Sequence, residues 1–398
     1  MSRLGIYGGS FNPPHQGHTL AAQELIRLLA LDTLFVIPAA IPPHKALPAG
    51  SPDAQERLHL TELAFAHVEK AQVLDLELRR EGPSYTVDTL ECLAREHPGD
   101  ELILIMGTDM LLGFSGWYQP ARIAELAKLA VMHRSEDAAL WQKTLEEAAR
   151  LHTQLGAEII PVDNQSIEVS STTVRRLLGL GDAEYLDPEV RDRIEALGLY
   201  GIREDRRNLP FDRLQEASLS LHDPKRVPHV IGCSQTAEAL AKQYGADPEL
   251  ARRAGILHDV TKAIGPHDQL LLARHYGIVP SGQEQINPKL LHAKTGAAVA
   301  RAVFGECEQV VSAIEWHTTG RANMTVLEKI LYLADYMEPN RRFTGVDTLR
   351  ELVWKNLDAG MELGLRMSLE SLAQRGLGVD ENSMAAWQFY SNERSKQI

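Results

Sequence analysis

Two groups of residues in this chain have types and spacings suited to phosphate chemistry. The first is Gly8-Gly9-Ser10-Phe11-Asn12-Pro13-Pro14-His15-Gln16-Gly17-His18, which follows the apolar run Leu4–Tyr7 and precedes a helical pattern from Thr19 to Leu29. Glycines after a strand let the backbone approach a phosphate, and a helix N-terminus offers unpaired N–H groups and partial positive charge to an anion. His15 and His18, three apart at that helix start, would face the same anion. Two histidines in a turn are by themselves more often structural, but here strand, glycine turn and helix start agree. The second group is His229, the adjacent pair His258-Asp259, His292, His317 and Asp335, most of them on predicted helices. A lone helical histidine is more often a satisfied polar residue than a ligand. Adjacent helical residues point about 100° apart, so one metal centre can accept both His258 and Asp259 only if other helices close around it. That chemistry demands a bundle.

The patterning supplies elements for both. Leu4 to Tyr7, Thr33 to Pro38, Val73 to Leu76, Leu102 to Met106, Leu129 to His133 and Glu158 to Val162 read as strands separated by amphipathic stretches, which predicts βαβ crossovers and a parallel, Rossmann-like sheet. After Tyr200 the strand signals fade, and Arg203–Pro210 is polar, charged and closed by proline. From Asp212 to about Gln374 apolar residues recur at helical spacing, as in Ala237, Leu240, Ala241 and Tyr244, with breaks at Gly245, Gly277, Pro288, Gly305 and Gly320. The expectation is an α/β domain over 1–203, a linker over 204–211 and an all-α helical bundle over 212–398.

A chain of 398 residues exceeds what one core usually organises, which agrees with two domains. The formal net charge of -13 repels a nucleic-acid backbone at long range but leaves small nucleotides as ligands. Cys92, Cys233 and Cys307 are odd in number and widely spaced, which argues against disulfides and a cysteine zinc site and fits a reducing, cytoplasmic setting. There is no long apolar stretch to span a membrane.

The segment Gly8–Phe11 with His15-Gln16-Gly17-His18 resembles the signature of the nucleotidyltransferases that move adenylyl groups from ATP, and Ser170-Ser171-Thr172-Thr173-Val174-Arg175 is similar to their second phosphate-binding motif. Pro42-Pro43-His44-Lys45, Ser84–Leu90, Gly107-Thr108-Asp109, Trp117 and Arg134 narrow the resemblance to nicotinate-nucleotide adenylyltransferase, over Leu4 to about Tyr200. Asn12 and Val169 stand where the family often has Asp and Ile. The resemblance implies that the phosphate of nicotinate mononucleotide attacks the α-phosphorus of ATP and pyrophosphate leaves, with Mg2+ bridging the triphosphate. His15 and His18 would then donate to the phosphates, with Lys45 and Arg175 as fixed cations and Gly8, Gly9, Ser10, Phe11, Ser170, Ser171 and Thr172 around them. Ser84, Tyr85, Thr86 and Trp117 would hold the pyridine ring and its carboxylate, and Gly107, Asp109 and Arg134 would complete the substrate site. The alternative for Tyr85 and Trp117 is a place in the core. Another phosphate, of nicotinamide mononucleotide or pantetheine, is the rival substrate.

His229, His258, Asp259 and Asp335 are similar to the ligand set of HD phosphohydrolases, and His292 and His317 imply a second metal with Asp259 bridging. The donor mix suits a transition metal better than calcium, iron first and manganese second. Leu257–Lys262, His317–Arg321 and Ala334–Arg341 further resemble the YqeK group, which hydrolyses diadenosine tetraphosphate symmetrically to two ADP. Pro228 before the first ligand and Leu291 in place of a usual Trp depart from that pattern. Lys262, Thr319, Arg321 and Arg341 would bind the remaining phosphates, although a basic residue on an amphipathic helix is usually only solvated. The rival reading makes the bundle a nucleotide sensor. The expected partners are ATP, nicotinate mononucleotide and dinucleoside polyphosphates, without nucleic acid or membrane, and compatible with a homo-oligomer.

Overall fold

β-branched and leucine-rich runs in the first half form strands because the inner strands of a parallel sheet covered on both faces bury nearly all their side chains. The computed structural model describes residues 1–42, 46–48, 50–132, 138–164, 169–201 and 205–396. Among these, β1 (Arg3–Gly9), β2 (Thr33–Pro38), β3 (Ala71–Val73), β4 (Glu101–Gly107), β5 (Lys128–Met132) and β6 (Ile159–Val162) form a six-stranded sheet in the order β3-β2-β1-β4-β5-β6. Every pairing is parallel. Leu4, Ile6, Leu104, Met106, Leu129 and Val131 lie in its core, each fully buried side chain contributing about 1.5–3 kcal/mol. The winding reverses between the paired strands β1 and β4, and such sheets open a crevice at the carboxyl ends of the strands where it does so. Gly8-Gly9 and Gly107 end β1 and β4 there.

Two expectations need correction. The third strand is Ala71–Val73, not Val73–Leu76. The Leu74 N–H still reaches Val36, but the chain then turns as Leu78 and Arg79 bond back to Asp75; Leu74 and Leu76 owe their apolar character to packing against the core. The first helix is Gln16–Leu28 and not Thr19–Leu29, because His15 caps it and His18 completes a reciprocal capping box. His133, the expected end of the fifth strand, lies outside the described residues.

The chain divides into two units, Met1–Leu178 with Ala183–Glu204 and Gly179–Asp182 with Asp205–Ile398. The regular elements of the second, among its described residues, are all helices, and they include Glu381–Lys396, beyond the reach of the apolar periodicity. Its core gathers Val230, Leu240, Ile256, Leu257, Val310, Ile314, Ile330 and Leu333. Capping decides where the ligand-bearing helices begin. Asp247 accepts from the backbone of Glu249 and Leu250 and Pro248 starts the helix Pro248–Leu257, which delivers His258-Asp259 at its end. Thr325 and Glu328 form a capping box at the start of Val326–Met337, which carries Asp335. Among the described residues no helix is long and apolar enough to cross a membrane.

Candidate active sites

In the first unit, the loop after β1 and the start of Gln16–Leu28 border a cavity of about 500 Å3, whose lining includes Ser10, His15, His18, Ser171, Thr172 and Arg175. The backbone N–H of His15 donates to Nδ1 of His18 at 3.2 Å, so the neutral His18 ring carries its proton on Nε2 as a donor. The His15 and His18 rings lie 3.8 Å apart, and Phe11 packs edge-on against His18 at 5.0 Å. Phe11 is 1% exposed and holds φ at +42°, a costly backbone for a large side chain that packing offsets. It therefore supports His18 from inside and lines neither this cavity nor the next, a correction to the motif reading that placed it around the phosphates. A Cβ on Gly17 would lie 2.6 Å from Val169 and 3.0 Å from His15 Nδ1, so only glycine fits beneath the histidine. The helix has no acidic residue in its first turn, and neither does Ser171–Gly179, which leaves both N-terminal fields open to an anion.

Arg57, 1% exposed, was not anticipated. It donates to the carbonyls of Ser10 at 2.8 Å and Ala40 at 2.9 Å, tying the loop after β1 to that after β2. Ser171 donates to the Pro13 carbonyl at 2.9 Å and Arg175 to the Asn12 carbonyl and to Thr172 Oγ1, so the second motif closes on the first. Ser170 joins the lining and bonds the Thr173 backbone.

A second cavity of about 190 Å3 shares Ser10 with the first and is bounded by Gly8, Gly9, Ser84, Tyr85, Thr86 and Trp117, with Glu77 and Tyr118. Tyr85 and Tyr118 lie 4.6 Å apart. Ser84 Oγ accepts from the backbone of Ala40 and Ile41, and Tyr85 and Thr86 open the helix Thr86–Glu96, whose first N–H groups have no partner within the helix. Burial pushes the Glu77 carboxyl up to about 7, against the hydrogen bonds from Thr89 and Ser84 and the charge of Arg80. Gly107 caps Thr108–Leu112 and Asp109 is exposed in its first turn; neither lines the two cavities. Lys45 and Arg134 lie outside the described residues.

In the second unit the structure brings the expected ligands together. His229 Nε2 lies 3.3 Å from His258 Nε2 and 3.1 Å from Asp335 Oδ1, and His258 Nε2 is 3.4 Å from Asp259 Oδ2. On the other oxygen of Asp259, His292 Nε2 lies at 3.4 Å and His317 Nε2 at 3.7 Å, the two nitrogens being 3.2 Å apart. All but Asp335 are nearly fully buried. Each imidazole is oriented through Nδ1: His229 by Glu338 at 3.1 Å, His258 by the Gly255 carbonyl at 2.7 Å, His292 by that of Lys289 at 2.7 Å and His317 by that of Ile314 at 2.6 Å. A backbone carbonyl or a carboxylate oxygen accepts, so Nδ1 carries a proton in every ring and the Nε2 atoms are the ones that converge on the carboxylates.

This arrangement fits metal ions. Ligand atoms about 2.0–2.2 Å from one ion lie about 3–3.5 Å from each other, and Asp259 Oδ1 is buried with no hydrogen-bond partner. His229, His258 and Asp335 form one candidate group and His258, Asp259 and His317 another. Burial acts to raise Asp259 and Asp335, but charge and hydrogen bonds from His258, with Lys262 and Arg341, hold both well below the carboxylate range. His258 is itself held well above the usual histidine range when protonated on Nε2, and a bound metal ion would take that proton's place. His292 is held well below the usual histidine range by burial and by Lys262, whose Nζ is 2.9 Å from its Nε2.

Three cations ring the cluster. Lys262 stands at His292, Arg341 donates to Asp335 Oδ1 at 2.6 Å, and Arg226, which sequence reasoning passed over, donates to Asp259 Oδ2. Arg226 lies three residues before His229, one helical turn away, which was the signal available. Thr318 is also new, its hydroxyl 3.1 Å from both His292 and His317. By contrast Arg321 pairs with the buried Glu328 at 2.7 Å and lies over Trp316, and Thr319 bonds to the Gly320 carbonyl. The structure does not bring those two to the cluster.

Comparison with known proteins agrees with both halves. Residues 6–177 match the cytidylyltransferase-like family and residues 226–340 the HD domain. The chain is 36% identical over 205 residues to a probable nicotinate-nucleotide adenylyltransferase of Geobacillus kaustophilus, covering 51% of this chain and 88% of that protein. A probable nicotinate-nucleotide adenylyltransferase of Halorhodospira halophila is 39% identical over 217 residues, covering 50% and 96%. A solved structure of a predicted HD superfamily hydrolase involved in NAD metabolism, from Clostridium acetobutylicum, is 33% identical with a TM-score of 0.45, covering 46% of this chain and 98% of that one. Through its N-terminal half the chain belongs to the nicotinate-nucleotide adenylyltransferase family, and its C-terminal half carries an HD domain.

Proposed function

We propose that the chain holds two cytoplasmic enzymes acting on small nucleotides. The first unit transfers AMP from ATP to nicotinate mononucleotide, and the second hydrolyses diadenosine tetraphosphate symmetrically to two ADP. The observation that carries the first reading is a polar cavity around His15, His18 and Arg175 that shares Ser10 with an aromatic cavity, both at the carboxyl ends of the strands. A mononucleotide phosphate between them attacks the α-phosphorus of ATP, and the bond to pyrophosphate breaks. This requires alignment and charge neutralisation more than covalent help. His18 donates from Nε2 to the triphosphate, which arrives with its Mg2+, and Arg175 and the two helix N-termini stabilise the leaving charge. Lys45 and Arg134 are assigned to the same site. Tyr85, Tyr118 and Trp117 enclose the ring, and the N–H groups opening Thr86–Glu96 take its carboxylate.

For the second unit the four converging Nε2 atoms carry the reading. His229, His258, Asp335 and Asp259 would hold one metal, and His292, His317 and Asp259 a second; bound there, such ions supply Lewis acidity and a neutral-pH nucleophile from water. Arg226, Lys262 and Arg341 bind and orient the polyphosphate.

One set of assays tests both halves. Purified protein with ATP and nicotinate mononucleotide is expected to release pyrophosphate with a higher kcat/KM than with nicotinamide mononucleotide, because donors matched to a carboxylate are left unpaired by an amide. With iron or manganese it is expected to convert diadenosine tetraphosphate to ADP alone. Equal use of the two mononucleotides refutes the ring assignment, and AMP plus ATP as products refutes symmetrical cleavage.

A further inference from the structure

The last stretch of the first unit bonds back to the loop that follows β1 and to the helices beside it. The Gln16 N–H, at the first position of its helix, donates to the Tyr185 carbonyl at 2.8 Å. Arg193, on the helix Pro188–Leu197, holds both oxygens of Glu56 at 2.8 Å, and Glu56 directly precedes the buried Arg57 that ties Ser10 to Ala40. The third tie is Tyr200, whose hydroxyl donates to Asn12 Oδ1 at 2.9 Å across 188 positions of chain.

Tyr200 holds φ at +57° and ψ at +23°, a left-handed backbone in which a large side chain is an outlier. Such a conformation persists only where the surrounding contacts over-determine it, and it concentrates at functional sites. Here the contacts lead to Asn12, which is 1% exposed. Its Oδ1 accepts from Tyr200, its Nδ2 donates to Ser51 Oγ at 2.8 Å, and Ser51 Oγ donates on to the Pro48 carbonyl at 2.7 Å. The relay runs one way, because burial pushes the Tyr200 hydroxyl above its ordinary range and keeps it a donor. The Asn12 amide therefore cannot turn over without breaking both of its bonds. The backbone carbonyl of the same residue accepts from the guanidinium of Arg175, which lines the cavity with His15 and His18; Tyr200 does not line it.

We propose that Tyr200 is a positioning residue for adenylyl transfer: by fixing Asn12 it fixes the carbonyl that holds Arg175, and so the direction in which that cation meets the triphosphate. The proposal rests on the adenylyltransferase reading for its reaction, though not for the loop it holds. A slightly misplaced cation still attracts a bound nucleotide, but it no longer matches the charge that grows on the leaving pyrophosphate. The loss therefore belongs in kcat and not in KM for ATP.

Steady-state pyrophosphate release by the full chain, with ATP and nicotinate mononucleotide, tests this beside hydrogen exchange over residues 8–18. Tyr200→Phe keeps the ring and deletes the donor. It is expected to lower kcat about twofold to tenfold, the worth of one hydrogen bond, with KM for ATP at the parent value and faster exchange over 8–18. Asn12→Ala deletes the acceptor, and the double variant is expected to be no slower than Asn12→Ala alone, because both changes break the same link. A parent-like kcat in Tyr200→Phe, a loss confined to KM, or single losses that multiply in the double variant each overturn the proposal. If the parent releases no pyrophosphate, the adenylyltransferase reading falls, and exchange alone decides whether Tyr200 holds the loop: faster exchange in Tyr200→Phe supports that role and parent-like exchange overturns it.

Discussion

On the functions proposed for them the two candidate sites both handle polyphosphate, and they are built in opposite ways. The N-terminal site is an open cradle: its donors sit on loops and helix starts at the edge of a sheet, and the buried groups, Phe11 and Arg57, hold the loop from behind. The C-terminal centre is an enclosed knot of side chains from separate helices, with nearly every ligand atom buried and each ring locked by its second nitrogen. The difference teaches that the first site should lose rate when a donor is removed, whereas the second should lose its metals.

The largest separation should come from His18→Ala. Removing one donor aimed at developing charge costs about 10²–10³ in rate, so pyrophosphate release should fall by that factor while ADP release from diadenosine tetraphosphate stays at the parent value. A full rate of adenylyl transfer would remove His18 from the mechanism.

Glu338→Gln sharpens the other side. Glu338 is 1% exposed, orients His229 through Nδ1, and is itself held by Asn340 at 2.7 Å. The fit is close, since a Cβ on Gly232 would lie 2.4 Å from its Oε2. Loss of such an outer partner typically weakens metal affinity about 10–100-fold. Chelator-competition titration should show this with adenylyl transfer unchanged; parent-like affinity would mean that His229 needs no orienting carboxylate.

A third test concerns Glu77, whose main effect is on stability and not on one activity. Its carboxyl, ordinarily near 4.5, is pushed up to about 7 by burial. A raised acid favours the fold while protonated, so its contribution is intact below about 4.5, is lost as pH rises, and is gone above about 7, a difference on the order of 3 kcal/mol. Denaturant unfolding of the parent should therefore weaken between pH 5 and 8 more than that of Glu77→Gln. Above pH 7 the ionised carboxylate should also raise KM for a substrate bearing a carboxylate, and the glutamine variant should flatten that rise. Parallel stability profiles would contradict the assignment.

Much of both sites was legible in the sequence because their residues lie in short local patterns. The glycine turn and His15-x-x-His18 span one strand end and one helix start, and His258-Asp259 closes a capped apolar helix. What escaped depends on contacts that no local pattern encodes. Glu338 meets His229 across 109 positions, and Arg57 reaches Ser10 across 47 from a helix with no motif of its own. Arg321 misled for a related reason: its basic character is spent on the buried Glu328, which Ser312 also bonds. In the fold, the third strand was displaced because Leu74 and Leu76 are apolar for core packing from a turn. Period alone does not separate that from a strand.

The central claim is that one chain carries two independent chemistries, one of them built on a carboxylate shared by two metal positions. The most direct measurement is elemental analysis of Asp259→Ala beside assays of both activities. The account predicts metal content well below one equivalent, against one to two in the parent, no ADP from diadenosine tetraphosphate, and pyrophosphate release at the parent rate. Full metal occupancy with unchanged ADP release would show that the histidines do not use Asp259 as their common ligand, and the helical unit would then be read as a nucleotide sensor.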